Sequence, residues 1–154
     1  MMQPLKEALR WSSQAEDDLR FVEWVAEEKT FFDKGCFISQ QAGEKILKAC
    51  LYALGKKQVI GHSLVELVAE LSQKDPQFQG IQNEARRLDR YYIPTRYPNG
   101  LPGGTPFQVF TTEDLGDALE DVRNVFKIAR DFLDKIREKN EIVVLSSPLP
   151  EVKL

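Results

Sequence analysis

Residues 4–30, PLKEALRWSSQAEDDLRFVEWVAEEKT, set Leu5, Ala8, Ser12, Ala15, Leu19, Val22 and Ala26 at alternating spacings of three and four. That period places all seven on one stripe of an amphipathic helix, and such a stripe has to face a partner. Pro4 suits the first turn, where its missing N–H loses no helical bond. Beyond it, Phe31-Phe32-Asp33-Lys34-Gly35 interrupts the stripe, with Asp33 placed to cap the next helix. This second helix is expected from about 35 to 55, closed by Gly55 as a left-handed residue. The short connection predicts that it packs antiparallel to the first.

Further along, Ser63 and Glu66 have the spacing of a capping box for a third helix ending near Ser72. Asp75-Pro76 restarts the chain, and Ile81, Ala85 and Leu88 mark a fourth helix up to about Arg90. From Tyr91 to Phe110 the chain carries Pro94, Pro98, Pro102 and Pro106 with Gly100, Gly103 and Gly104, which excludes regular helix and predicts a long loop. Its aromatic and arginine side chains argue for order, and ordered loops of this length tend to be functional. Thr111 or Thr112 then caps a long last helix, in which Leu115, Leu119, Val122, Phe126, Ala129, Leu133 and Ile136 recur at helical spacing. The reading is all-α: an up-and-down helical bundle of about five helices with a Pro/Gly-rich loop before the last. One domain spans 1–138, and a tail spans 139–154, where Ile142-Val143-Val144-Leu145 and two prolines stand.

The chain has 154 residues, enough for one ordinary core. A net charge of −3 provides no general positive field, so neither DNA nor an anionic membrane is an expected partner. No apolar run approaches a membrane span and the N-terminus lacks an apolar signal core, so a cytoplasmic location is expected. Cys36 and Cys50 are fourteen positions apart on the second helix. That is roughly 21 Å at 1.5 Å per residue, too far for a disulfide, and both read as small buried residues. With one histidine and no Cys/His cluster, no metal site and no cofactor are expected. Phosphate loops, H-E-x-x-H and G-x-S-x-G motifs are absent, and no catalytic residue is assigned.

Two stretches carry chemistry. On the second helix Gln40, Glu44 and Lys48 form a ladder at spacing four, with Gln41 and Lys45 beside it. The plainer reading of that ladder is a solvated face with an ordinary helical ion pair. In the loop, Tyr91, Tyr92, Arg96 and Tyr97 offer stacking faces and a planar guanidinium, with Arg86, Arg87 and Arg90 close by in sequence. Such residues suit a phosphate or a nucleobase. They equally suit a purely structural role, in which the tyrosines and prolines pack the loop on the bundle and Arg96 caps a helix end or pairs with an acid. His62, the lone imidazole, sits in a Gly-His-Ser turn.

Ile38-Ser39-Gln40-Gln41-Ala42-Gly43-Glu44-Lys45-Ile46-Leu47-Lys48-Ala49, then Gly61-His62-Ser63-Leu64, Tyr91-Tyr92-Ile93-Pro94-Thr95-Arg96-Tyr97-Pro98 and Thr111-Thr112-Glu113-Asp114 occur in an order that resembles HEPN domains. The similarity spans roughly residues 8 to 137, and it is to the small stand-alone prokaryotic branch and the C-terminal domain of sacsin. The resemblance implies a helical bundle that forms a homodimer, an association with nucleotides or RNA, and a minimal nucleotidyltransferase partner in a toxin–antitoxin-like pair. The ligand-binding residues it implies are Gln41, Glu44, Lys45, Lys48, Tyr92, Arg96 and Tyr97, with His62 and Arg90 as further candidates. Ribonuclease members of the family carry Arg, four to six residues, then His. Here those offsets before His62 hold Gly55, Lys56 and Lys57, so RNA cleavage is not expected. An adaptor surface without a small ligand is the alternative, and a metal-independent ribonuclease with His62 as acid/base is a further one.

Overall fold

The stripe on the first segment does form one helix, α1 (Met2–Glu28), with Ala8, Ala15, Leu19 and Val22 buried along it. The computed structural model describes residues 2–146. After α1 come α2 (Phe32–Ala53), α3 (Leu64–Ser72), a 3-10 segment (Pro76–Ile81), α4 (Gln82–Asp89), a 3-10 turn (Pro98–Gly100), the single-turn α5 (Pro106–Val109) and α6 (Thr112–Ser146). No strand occurs among the described residues, and the architecture is an all-α bundle. No helix among them is long and apolar enough to cross a membrane.

Helix α2 is the centre, touching α1, α6, α3, α4 and α5. Two glycines make that possible. A Cβ on Gly35 would come within 2.6 Å of Leu115 on α6 and 3.0 Å of Val25 on α1. One on Gly43 would come within 2.7 Å of Leu64 on α3. The missing side chains let three helices close on α2, which outweighs the cost of about 1 kcal/mol for glycine in a helix.

Helix ends follow the predicted chemistry in part. Ser63 Oγ accepts from Glu66 N at 3.2 Å, and Asp89 at the end of α4 accepts from Ser63 Oγ, Leu64 N and Val65 N at 2.9, 2.7 and 3.2 Å. An acid from another helix thus completes the cap of α3. Thr111 caps α6, its Oγ1 accepting from Asp114 N while Asp114 Oδ2 accepts from Thr111 N. Gly55 has φ +95, as its position after α2 requires. Asp33 differs from expectation. Lys29 and Phe31 both adopt left-handed φ, 54 and 50, so the chain turns early and α2 starts at Phe32 with Asp33 inside its first turn. There Asp33 is buried and pairs with Lys34 Nζ at 2.9 Å.

Residues 91–110 form no long helix, yet they are not a plain loop. Hydrogen bonds Tyr91 N to Leu88 O, Tyr92 N to Asp89 O and Arg96 N to Ile93 O, at 3.0, 3.3 and 3.0 Å, wind the chain on from α4 in successive turns. Pro98 and Pro106 then open short helical pieces, because a proline at a first-turn position sacrifices no bond. At the other end α6 runs past residue 138, where a tail is expected, to Ser146. The run Ile142 to Leu145 contains no breaker, and the first proline after it is Pro148. Residues 147–154 of the expected tail lie outside the described residues.

Val25, which the sequence sets off the main stripe of α1, is fully buried, because α2 and α6 together cover a wide arc of that helix. Cys36 and Cys50 are free and buried. Burial, followed by the carboxylates of Asp114, Asp33 and Asp117, pushes the Cys36 thiol up to about 12, and burial alone pushes Cys50 up as well.

The packing leads to two expected outcomes. Neither thiol of the folded protein should react with Ellman's reagent at pH 8, and both should react in denaturant, because the thiolate is the reactive form. Gly35→Ala should lower unfolding free energy by about 1–2 kcal/mol in urea titration, the cost of overpacking against Val25 and Leu115 less the gain in helix propensity.

Candidate functional site

The polar ladder of α2 is not solvated: Gln40, Glu44 and Lys48 are 0, 4 and 5 % exposed. Groups from elsewhere in the chain cover it and supply its partners. Gln40 Nε2 donates to His62 O at 2.8 Å, and Gln41 Nε2 donates to Gln40 Oε1 at 2.7 Å. Glu44 is answered twice, by Lys48 Nζ at 3.2 Å and by His62 Nδ1 at 3.1 Å. Lys48 also lies 5.6 Å from the centroid of the Trp11 ring, and Trp11 stacks on Tyr52 at 5.4 Å. A buried charge without such partners would be untenable.

From His62 the seam continues outward. Its imidazole stacks on Tyr92 with centroids 5.0 Å apart. The Arg96 guanidinium lies 4.4 Å from the Tyr92 ring centroid, 4.6 Å from that of Phe37 and 5.1 Å from that of Tyr97, while Arg96 Nε donates to Tyr92 O at 2.8 Å. Arg96 and Tyr92 can meet because the turns after α4 separate them by four residues, the spacing of neighbours on a helical surface. Arg96 does not touch Glu44 or Lys48; Tyr92 and His62 stand between. Among the described residues no carboxylate pairs with Arg96. Cation–π contacts at exposed sites are worth about 0.5–1 kcal/mol each. Three ring contacts and the Nε hydrogen bond restrain the guanidinium, and its Nη atoms have no hydrogen-bond partner among the described residues.

The other candidates lie elsewhere. Lys45 pairs with Asp18 at 2.6 Å, in a hollow between α1 and α2 that Glu7, Arg10 and Trp11 also line. Arg90 faces a separate hollow beside α6, with Arg87, Tyr91, Asp117, Glu120 and Asp121. Arg87 there makes a two-pronged contact to Asp121, Nε and Nη2 each 2.9 Å from an oxygen. Arg86 is hydrogen-bonded to Asn83. Of the arginines that cluster in the sequence, Arg87 and Arg90 thus share one hollow, while Arg86 and Arg96 lie outside it. Tyr91 is half-buried, with Phe110 edge-on at 6.1 Å, and burial followed by Cys36 and the nearby aspartates pushes its hydroxyl pKa up. Phe37 and Trp11 join the seam unforeseen. Phe37 shares a helical face with Gln41, Glu44 and Lys48, a signal present in the spacing, whereas nothing local marks Trp11. No group of three or more His, Cys, Asp or Glu side chains suited to a metal occurs among the described residues.

The seam makes a stability prediction. Glu44→Leu alone should cost about 3–5 kcal/mol in urea unfolding, because it strands the buried Lys48 ammonium, whereas Glu44→Leu with Lys48→Met should recover most of that loss.

Comparison with known proteins bears on the family and the fold. The HEPN domain model matches residues 8–135. The Methanocaldococcus jannaschii protein named "Putative toxin MJ1304" is 26% identical over 137 residues, covering 84% of this chain and 90% of that protein. Among solved structures, TT1696 from Thermus thermophilus is 31% identical with a TM-score of 0.73, covering 82% of this chain and 98% of that one. ST0689, described as an archaeal HEPN homologue, is 27% identical with a TM-score of 0.68, again over 82% and 98%. With the family model spanning most of its length and the bundle superposing on an archaeal HEPN homologue, the chain belongs to the HEPN domain family.

Proposed function

We propose that this chain is a HEPN module of a toxin–antitoxin-like pair that binds a nucleotide or another phosphorylated ligand at the Arg96 stack and works with a minimal nucleotidyltransferase subunit. The observation that carries the binding half is the open guanidinium edge of Arg96, held by Phe37, Tyr92 and Tyr97 and free of any carboxylate among the described residues. A preoriented arginine fork suits an oxyanion, since two parallel N–H groups match two oxygens. Tyr97, 49% exposed beside it, supplies a ring on which a base can stack. Lys45 and Lys48 are each neutralised within the bundle, so Arg96 is the phosphate ligand and the α2 ladder supports it through His62 and Tyr92. The name of the Methanocaldococcus relative supports the toxin side of the reading, at 26% identity.

A homodimer belongs to the same proposal. Phe21 and Trp24 stand one turn apart on α1 and are 40% and 54% exposed, an apolar patch that suits a helix-to-helix interface. An adaptor role without a small ligand is favoured by a different observation, the exposed Ile93, Phe107 and Val109 around the same loop. For cleavage of RNA, His62 would have to leave its contacts with Glu44 and Tyr92. Equal cleavage by wild type and His62→Ala would remove that idea.

Titration calorimetry with ATP, GTP and short RNAs should give dissociation constants near micromolar, about −8 kcal/mol, and saturating ATP should raise the melting temperature. Arg96→Ala should weaken binding by at least about tenfold, given the 1.5–3 kcal/mol typical of hydrogen bonds to a charged group, with the circular dichroism spectrum unchanged. No heat and no thermal shift with any of these ligands would leave the adaptor reading, to be checked by co-purification with a nucleotidyltransferase encoded beside this chain. In light scattering the wild type should be a dimer and Trp24→Glu a monomer; a wild-type monomer at high concentration overturns the dimer.

A further inference from the structure

The buried polar side chains beneath the Arg96 stack, Gln40, Glu44 and Lys48, are already committed, and that limits what the site can recognise. Gln41 donates to Gln40, and Gln40 to the His62 carbonyl. Glu44 holds both Lys48 and His62. Ser63 is bound to Asp89, and the Thr95 hydroxyl to Tyr91 O. Tyr92 has Phe37, His62 and Arg96 against its ring, so it is a poor platform for a further ring. What stays open is half-buried or exposed, and none of it has a partner among the described residues: the Nη edge of Arg96, the ring and hydroxyl of Tyr97, the Tyr92 hydroxyl, Gln41 Oε1 and His62 Nε2.

None of these is a buried polar group that the wrong base would leave stranded. An arginine fork matches the oxygens of any phosphate. A tyrosine ring stacks with every base, because every base has a π face. With Nδ1 directed to Glu44, Nε2 is a single ring nitrogen, which accepts when neutral and donates when protonated. Strong discrimination requires buried polar groups that the wrong ligand leaves unpaired, and here such groups satisfy each other before any ligand arrives. What the arrangement does select is charge and geometry at a phosphate.

Resting on the phosphate-binding reading above, we infer that this site reads phosphate ends and is indifferent to the base they carry. Arg96 takes the terminal phosphate, Tyr97 lies along whatever ring comes after it, and His62 is the positioning residue that fixes Tyr92 beneath the guanidinium. The same chemistry is offered by a free nucleoside triphosphate and by the 5′-phosphorylated end of an RNA strand.

The test is a calorimetric series on the full chain at one ionic strength, with ATP, GTP, CTP, UTP, inorganic tripolyphosphate and adenosine. The four nucleotides should bind within about threefold of one another, as expected where no buried polar group reads the base. Tripolyphosphate should bind, weaker by about tenfold for the lost stacking. Adenosine should not bind detectably. Arg96→Lys keeps the charge and loses the planar fork, and it should weaken all the phosphate ligands alike by about tenfold. A preference above tenfold for one base, or adenosine binding as tightly as ATP, overturns the inference while leaving nucleotide binding intact. Silence from every ligand, tripolyphosphate included, overturns the binding reading beneath it. Octauridylate with a 5′-phosphate separates the two sources. Tighter binding than its 5′-hydroxyl counterpart assigns the site to RNA ends as well, and binding of free nucleotides with neither oligomer assigns it to the free ligand. Equal binding of the two oligomers indicates contact with the strand's interior and contradicts end reading.

Discussion

Glu44 sits in the middle of α2, nearly sealed from water, and a carboxylate in that position has to be compensated by positive charge or hydrogen bonds. Lys48, one turn along, provides the first compensation and His62 the second. The pairing with Lys48 lies within one helix and would form in any helical state. The pairing with His62 reaches across the bundle, and it draws the Gly61–Ser63 turn onto α2. Because that turn leads directly into α3, the ion cluster sets where α3 starts. Asp89 then fastens the same turn to the end of α4. One buried charge thereby ties together three helices and the loop that succeeds the last of them.

The loop inherits its position from this arrangement. Tyr92 stacks on the imidazole that Glu44 holds, and Arg96 stacks on Tyr92. A guanidinium on an exposed loop would ordinarily sample many orientations at a substantial entropic cost on binding. Here three rings and a carbonyl constrain it beforehand. The bundle is thus joined to its surface chemistry through one line of contacts, from a dry ion pair at one end to an open cation at the other. Elsewhere α6 is fastened to α1 by Arg130 on Glu16 and Arg123 on Glu23, exposed pairs worth little individually. The close approaches at Gly35 and Gly43 account for more of the packing, since they decide how near the neighbouring helices come to α2.

Much of the fold was legible from residues alone because it depends on local patterns. The stripe from Leu5 to Ala26, the Ser63 and Thr111 caps, the Gly55 terminator and the period from Leu115 to Ile136 each report on the chain's own helix. Local patterns misled where a breaker was inferred from composition. Prolines at 98 and 106 open short helical turns, and β-branched residues after 141 do not stop α6. Two non-glycine residues in left-handed conformation at 29 and 31 also could not be foreseen, because lysine and phenylalanine rarely adopt it and residue type therefore gives no signal.

For the site the division is sharper. Residue order was enough to put Gln40, Glu44 and Lys48 on a shared helical face and a tyrosine/arginine cluster after α4, since both depend only on the rise and turn of a helix. It took the folded chain to bury this face under Trp11 and His62, to commit Lys45 to Asp18, and to leave Arg96 open while Arg87 is spent on Asp121. Periodicity states which side chains point the same way. What lies opposite them is set by distant segments meeting in three dimensions, and the charge state and availability of each group depend on that meeting.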